Sequence, residues 1–338
     1  MDMIEVAAGI IRRPDGRVLI CRRGEGRHHA HLWEFPGGKL EAGESAGACL
    51  ARELMEELSL PVTALREIMR SEAEGIVFHF VEGRTDAEPC LTEHEAMAFV
   101  RERELLGYAF CPADDPVARA LALNNPPLRH FFWDFDGTVM DTYPMTVEAF
   151  LRAASALGAQ LEAAQVLNLM KQSVPVCLRE VSAAHGLDRD MLEKLFRAEE
   201  ARAPVSASRP VRGIPETLRA LRAAGGRHYL VTHRNRRAAE FLQSAGLDGL
   251  FDDMVTAEDG FPRKPQPDSL LHLMAKHGLD AASCVMIGDR PIDTAAGRNA
   301  GMLSCLLDEE NRFPEDPCEL RTARAEELPG LLCPQAVR

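Results

Sequence analysis

The chain has 338 residues, 46% apolar and 27% charged, an ordinary globular composition on more chain than one typical domain needs. Its formal net charge is −13, and no basic run exceeds Arg234-Asn-Arg-Arg237; this excludes duplex DNA or RNA as the expected ligand, because gripping a nucleic acid backbone needs a basic surface. The nine cysteines are odd in number, scattered and without a C-x-x-C pair, which argues against a disulfide framework and a structural zinc site.

The N-terminus, Met1-Asp-Met-Ile-Glu5, lacks the basic start and apolar core of a signal peptide, and no stretch approaches 18 apolar residues. A reducing cytoplasm is the expected setting, with no membrane partner. Ile4–Ile11 and Val18–Cys21 read as strands joined by the turn Pro14-Asp-Gly16. A helix is predicted from Glu44 or Ser45 to Leu58, then strands at Ile76–Val81 and Ala96–Val100 and a short helix at Pro116–Leu123. Asn124-Asn-Pro-Pro127 can continue neither helix nor central strand, so the predicted domains are residues 1–125 and 126–338. In the second, strands at His130–Trp133, His228–Val231, Cys284–Ile287 and Leu303–Leu307 alternate with helices near Pro215–Ala224, Arg237–Ala245, Pro267–His277 and Pro291–Ala300. That alternation is the pattern of a parallel, doubly wound α/β sheet. Between 141 and 210 the pattern turns to Ala/Leu-rich helices without a strand, read as a helical insertion.

On the first predicted helix, Glu53, Glu56 and Glu57 stand at i, i+3 and i+4, so their carboxylates share a face. A hard cation such as Mg²⁺, which takes oxygen ligands, would relieve the repulsion. Leu50, Leu54 and Leu58 form an adjacent apolar stripe to anchor the helix. Taken alone, Arg52–Glu57 reads more readily as an ordinary solvated helix, because such faces are common. The longer pattern decides: Gly37-Gly-Lys-Leu-Glu-Ala-Gly-Glu44, seven residues, then Arg52-Glu-Leu-Met-Glu-Glu57. With Leu32-Trp-Glu-Phe-Pro-Gly-Gly38 ahead of it, it resembles the Nudix box, in its MutT-like form, across about residues 3–123.

The resemblance implies an α/β/α sandwich with a mixed sheet that hydrolyses a nucleoside diphosphate linked to another group, using Mg²⁺ or Mn²⁺. By position, Glu53, Glu56 and Glu57 would hold metal, with the Gly38 carbonyl and the outlying Glu95. Glu53 is the implied base for water, Glu44 a secondary one, and Arg52 would orient a carboxylate. Where the family usually has glycine to close the helix in a left-handed conformation, this chain has Ser59, at a cost of roughly 1 kcal/mol and no lost ligand. Arg23, Phe35 and Asp114 match places where MutT-like proteins read the base. An ionised Asp114 would only accept hydrogen bonds and would suit guanine N1–H and N2–H₂ or a cytosine amino group, leaving oxidised guanine and cytidine nucleotides open; Asp114 is equally a cap for the helix that follows. His28, His29 and His31 are poorly spaced for a metal.

Asp134-Phe-Asp-Gly-Thr138 follows the apolar run His130-Phe-Phe-Trp133. An aspartate at the carboxyl end of such a strand lies where doubly wound folds bind ligands. Thr232 ends a second strand, Lys264 sits in Phe261-Pro-Arg-Lys-Pro-Gln-Pro267, and Gly288-Asp289 ends a third, with Asp293 four residues on. Together these are similar to the four motifs of the haloacid dehalogenase superfamily, across residues 129–308, with 141–210 as its small helical cap. The resemblance implies a Rossmann-like phosphatase. Asp134 would be the nucleophile and Asp136 the acid and base. Thr232 and Lys264 would hold the phosphoryl oxygens, and His233 would touch substrate. Asp134, Asp289 and the Asp136 carbonyl would hold Mg²⁺, with Asp293 supporting. Dehalogenating and phosphonate-cleaving members lack the second aspartate, so Asp136 favours a phosphatase.

The expected protein is a bifunctional phosphate hydrolase acting on nucleotides and small phosphorylated substrates. The alternative is a nucleotide-sensing first domain that regulates the second domain, a phosphatase of an unrelated small phosphomonoester. Oligomeric state has no signature in the sequence.

Overall fold

The computed structural model describes residues 4–73 and 75–333. They divide into two compact units, the first ending at Pro127 and the second running from Leu128 to Cys333.

In the first unit, β1 (Ile4–Arg12) and β2 (Val18–Arg22) form an antiparallel hairpin, followed by the short β3 (Trp33–Glu34) and β4 (Gly37–Lys39). Next come α1 (Ala46–Leu58), β5 (Thr63–Ala73), β6 (Ile76–Arg84), β7 (Ala96–Val100) and α2 (Asp115–Asn124). The sheet is mixed: β1 runs parallel to β6 and antiparallel to β2 and β4. Strand alternation sends Ala7, Ile11, Leu19 and Cys21 to one face, where they meet Leu50, Leu54 and Leu58 of α1. Ala8, Ile10, Val18 and Ile20 go to the other, against Val117, Leu121 and Ala122 of α2. Both faces are therefore covered, which explains why β1 and β2 read as continuous apolar runs. Burying each of the three leucines stabilises by roughly 2 kcal/mol, against a few tenths for each like-charged glutamate pair on the helix. The apolar stripe wins, and the carboxylates can be held together.

Ser45 caps α1 by accepting from the Ala48 amide, and Ser59 closes it at φ 49°. The Leu60 N–H returns to the Leu54 carbonyl at 3.0 Å and Ser59 N–H to Met55 at 3.2 Å, the paired bonds of a Schellman ending. The left-handed position expected at Ser59 is thus present. β5 was not expected. It is an edge strand studded with Arg66, Glu67, Arg70 and Glu72 and interrupted by register shifts, which blunts an exposed edge and erases the alternation.

The second unit opens with β8 (His130–Trp133) and β9 (Met140–Asp141). Four helices follow: α3 (Tyr143–Ala156), α4 (Ala163–Gln172), α5 (Val174–His185) and α6 (Arg189–Arg202). The chain returns through β10 (Arg209–Pro210) to α7 (Ile214–Ala223), β11 (Arg227–Val231), α8 (Ala238–Ser244), β12 (Asp253–Val255) and α9 (Asp268–His277). It ends with β13 (Cys284–Gly288), α10 (Pro291–Asn299), β14 (Leu303–Leu307), β15 (Leu320–Thr322) and α11 (Leu328–Leu332). The main sheet has the order β12-β11-β8-β13-β14-β15, every pair parallel. β8 lies between β11 and β13, so the carboxyl ends of the three strands share one rim at the switch point.

The helical insertion has its own core, with Phe150 and Phe196 edge to face at 5.4 Å. Its two ends, expected to be strand-free, pair antiparallel as β9 and β10, so entry and exit meet in one narrow stalk. A two-residue strand carries no periodicity, and its sequence signal is nil. Under the sheet, Trp133 Nε1–H donates to His228 Nδ1 at 3.0 Å, and His228 Nε2–H to the Leu218 carbonyl at 3.0 Å. Burial pushes the His228 pKa down to about 4, so a neutral imidazole completes this polar chain.

Ser59→Gly should raise the stability of the first unit by about 0.5–1 kcal/mol, because glycine occupies the left-handed region without steric cost. Urea midpoints of the two proteins measure it; Ser59→Val should move the midpoint the opposite way.

Candidate active sites

In the first unit, Arg52 organises the carboxylate helix. Its Nε and Nη2 make paired bonds to Glu44 at 3.1 and 3.0 Å, and its Nη1 donates to Glu53 at 2.8 Å and reaches Glu56 at 3.4 Å. Hydrogen bonding from Arg52 lowers the Glu44 pKa. Gly38 lets the loop pass under the Glu53 carboxylate: a Cβ there would stand 2.2 Å from Glu53 Cδ. Glu57 points inward. Burial, and then the charges of Glu53, Glu93 and Glu34, push its pKa up to about 7 against the pull of His94. Its Oε2 is buried without a hydrogen-bond partner.

Glu57 opens onto a cavity of about 450 Å³ that also meets Arg23, Glu34, Phe35, Glu93 and Asp114. Arg23 pairs with Glu34, whose other oxygen lies 3.2 Å from His94 Nε2. The Phe35 ring is buried against Phe110 at 5.4 Å, and its backbone N–H donates to Asp114 Oδ1 at 3.1 Å. Burial pushes the Asp114 pKa up to about 8, the Phe35 N–H opposing it.

In the second unit, Asp134 follows β8 and is 1% exposed. Lys264 Nζ donates to its Oδ1 and, at 3.1 Å, to the Val231 carbonyl, and forms an ion pair with Asp293 at 2.7 Å. Asp134 Oδ2 is buried without a hydrogen-bond partner, with Arg290 Nη2 3.5 Å away. Oxygens of Asp134, Asp289 and Asp293 all lie within 4.8 Å of one another. Burial, and then Asp293, raise the Asp134 pKa; burial chiefly brings Asp289 to about 6. Gly288 is required here, because a Cβ would stand 2.2 Å from Asp293 Cβ. Tyr143 OH donates to Asp289 at 3.1 Å, and Lys171 of α4 approaches it to 3.5 Å.

Asp136 is gripped from two sides. Thr142 Oγ1–H donates at 2.6 Å, and Arg234 Nε and Nη2 donate at 3.0 and 2.8 Å. Burial would raise its pKa, but Arg234 and Thr142 bring it below the ordinary value. Thr232 is buried at the end of β11, its hydroxyl oxygen accepting from the Arg234 amide at 3.0 Å. His233 Nε2 accepts the Lys264 backbone N–H at 2.9 Å, and burial with the nearby Lys264 charge drives its pKa down to about 3.

The sequence model of the haloacid dehalogenase-like hydrolases matches residues 131–307, and that of the NUDIX domain matches residues 3–132. The CTP pyrophosphohydrolase of Escherichia coli K12 is 37% identical over 129 residues, covering 36% of this chain and 92% of that relative. The plasmid phosphoglycolate phosphatase of Cupriavidus necator is 31% identical over 211 residues, covering 60% of this chain and 91% of that relative.

The chain joins a Nudix hydrolase to a haloacid dehalogenase-like (HAD) phosphatase. The solved structure of a predicted phosphoglycolate phosphatase from Haemophilus somnus shares the fold of the HAD domain, at a TM-score of 0.53 and 19% identity, covering 60% of this chain and 96% of that one.

The structure places two residues of the Nudix site otherwise than the sequence suggests. Glu95 does not line the cavity. Its exposed carboxylate is held by His31 at 2.8 Å and Arg22 at 3.6 Å, while Glu93, two residues earlier, lines it. Both lie in the bend before β7, where spacing does not tell which side chain turns in. Asp114 occupies the helix N-cap position but makes no capping bond. It is also predominantly protonated at neutral pH, so it offers a donor as well as an acceptor. Phe35 contributes a backbone amide beneath its buried ring.

Several site residues were missed. Glu34 lies within the Leu32–Gly38 segment, and Glu93 lies two residues before Glu95. Arg234 and Arg290 directly follow His233 and Asp289, and a cation beside a motif carboxylate was a usable signal. Tyr143 and Lys171 carried none.

A carboxyl with a folded pKa near 8 against 3.8 unfolded binds its proton more tightly in the folded state. Its stabilising contribution is complete below pH 4 and is lost as pH rises through 8. Wild type should lose stability relative to Asp114→Asn between pH 5 and 8, measured as urea midpoints; parallel pH profiles would contradict the assigned protonation.

Proposed function

We propose that the Nudix domain hydrolyses a nucleoside triphosphate to monophosphate and pyrophosphate. The orphaned, inward-facing Oε2 of Glu57, beside Glu53 and Glu93, carries this reading. Such a buried carboxylate oxygen suits a hard cation. Glu53, Glu56, Glu57 and Glu93, with the Gly38 carbonyl, would hold Mg²⁺ or Mn²⁺, which draws charge from the phosphate oxygens. Glu53 takes the proton of the attacking water. Arg52 holds Glu53 in place and keeps Glu44 ionised as a second acceptor. The neutral Asp114 carboxyl beside the Phe35 amide suits a base edge with adjacent donor and acceptor, such as cytosine N4–H₂ and N3. Oxidised guanine, whose N1–H and O6 offer a similar pair, fits the same carboxyl, and relatives named for CTP and for 8-oxo-dGTP both match this domain.

In the HAD domain, Asp134 Oδ2 is the nucleophile, because it is the oxygen that Lys264 leaves free. It bonds to phosphorus as the ester oxygen leaves with a proton from Asp136; water then cleaves the aspartyl phosphate, giving its proton to Asp136. Arg234 must loosen its hold on Asp136 for that carboxylate to be protonated at rest. Lys264 and Thr232 hold the phosphoryl oxygens. Asp134, Asp289, Asp293 and the Asp136 carbonyl would hold Mg²⁺, which neutralises phosphoryl charge. His233 holds the Lys264 loop through its acceptor nitrogen, leaving the other ring nitrogen for substrate. No helix among the described residues is long and apolar enough to cross a membrane; nine free cysteines support the reducing cytoplasm we propose as its setting.

Glu53→Gln should lower nucleotide hydrolysis by roughly 10²–10⁴-fold and spare p-nitrophenyl phosphate hydrolysis, and Asp134→Asn should do the reverse. A nucleoside triphosphate panel with malachite-green and pyrophosphate readouts separates the two, and unchanged nucleotide turnover in Glu53→Gln would refute the Nudix roles.

We further propose that the two reactions run in series. Given its preferred nucleotide, wild type should release inorganic phosphate without added pyrophosphatase, whereas Asp134→Asn should stop at monophosphate plus pyrophosphate. Identical product mixtures would show that the domains do not act in sequence on that nucleotide.

A further inference from the structure

The HAD cavity between cap and core has a volume of about 590 Å³ and an uneven charge inventory. Its cationic side chains are Arg197, Arg234, Arg237, Arg263, Lys264 and Arg290; its carboxylates are Asp136 and Glu200 alone. Most of the cations have partners. Lys264 and Arg290 face Asp134 and Asp293. Arg234 takes Asp136 at 2.8 Å and Glu200 at 3.2 Å. Arg237 donates to the Glu200 and Ala203 carbonyls and approaches Glu240 at 3.7 Å.

Arg197 of the cap helix α6 shares Glu200, at 3.0 Å, with Arg234, and reaches Glu193 only at 3.8 Å. One carboxylate thus serves two guanidiniums. Arg263, on the core loop before Lys264, has no carboxylate within 4.0 Å among the described residues; its one side-chain bond is to the His233 carbonyl at 3.4 Å. Burial, and then repulsion from Arg197 and Arg290, lower its pKa against the weaker, more distant pull of Glu193. A guanidinium from the cap and one from the core therefore face one cavity without enough negative charge to hold both. Guanidinium forks match carboxylate and phosphate oxygens.

We infer that this cavity takes compact substrates carrying a second anionic group besides the reacting phosphoryl, gripped jointly by Arg263 of the core and Arg197 of the cap. This rests on the phosphatase reading and narrows it. Lys264 at the phosphoryl group and Arg263 at the second anion line one cavity of about 590 Å³, which suits a compact substrate. Pyrophosphate and short phosphorylated carboxylic acids meet this demand. A nucleoside monophosphate does not, because its base is uncharged. The bound anion cancels the Arg197–Arg263 repulsion, so the same contact draws the cap onto the core.

The test compares full-length wild type, Arg263→Gln, Arg197→Gln and Arg263→Lys on pyrophosphate, 2-phosphoglycolate, a nucleoside monophosphate and p-nitrophenyl phosphate. The readout is kcat/KM for each anionic substrate relative to p-nitrophenyl phosphate. That ratio should fall at least tenfold in both glutamine variants, mainly through KM, and less in Arg263→Lys. Which of pyrophosphate or phosphoglycolate shows the fall identifies the second anion as phosphate or carboxylate. Calorimetric binding of methylenediphosphonate, a non-hydrolysable diphosphonate, should weaken at least tenfold in Arg263→Gln. An unchanged ratio, or wild type preferring the nucleoside monophosphate to both anionic substrates, overturns the inference. If wild type cleaves no phosphoester at all, the phosphatase reading fails instead, and diphosphonate binding alone decides whether the anion site exists.

Discussion

Both domains depend on holding carboxylates closer together than water would allow. In the HAD domain Asp134, Asp289 and Asp293 are buried and within 4.8 Å of one another; burial, and after it their mutual repulsion, raises the pKa values of the first two. The fold opposes that repulsion with fixed cations. Lys264 is anchored to a backbone carbonyl, and Arg290 reaches all three carboxylates at 3.5–3.8 Å. In the Nudix domain the same problem is solved more loosely. Arg52 spreads one guanidinium over Glu44, Glu53 and Glu56, and Glu57 is left to burial. A buried charge pair is a weak source of stability after desolvation, so these clusters are maintained by the apolar packing around them.

Protonation then sorts the carboxyls by task. Asp136 sits below its ordinary range under Arg234 and Thr142, while Asp134, close by in sequence, sits above. Asp114, with one amide for company, stays neutral where Glu44, with a guanidinium fork, stays ionised. In each case the balance of burial against neighbouring donors and charges decides, not the residue type.

Arg234 links chemistry to the cap. It bonds both to Asp136 in the core loop and to Glu200 on α6, so the position of the cap is felt at the residue assigned to proton transfer. The β9–β10 pair brings the entry and exit of the insertion together in one narrow stalk.

The sequence by itself determined the two hydrolase families, the core strands and helices of each domain, and the motif residues from Gly38 to Glu57 and from Asp134 to Asp293. Those follow from local spacing: a helix puts i, i+3 and i+4 on one face, and a doubly wound sheet brings strand ends to one rim. Tertiary structure alone decided which carboxylate before β7 turns inward, because a bend has no period; Glu93 rather than Glu95 lines the cavity. It decided that Asp114 is neutral, since burial depends on Phe35 and other residues distant in sequence. It also brought Tyr143 and Lys171 to Asp289 and Arg197 to the cavity of Arg263. Such contacts join an inserted helical cap to a sheet, and no local pattern records them.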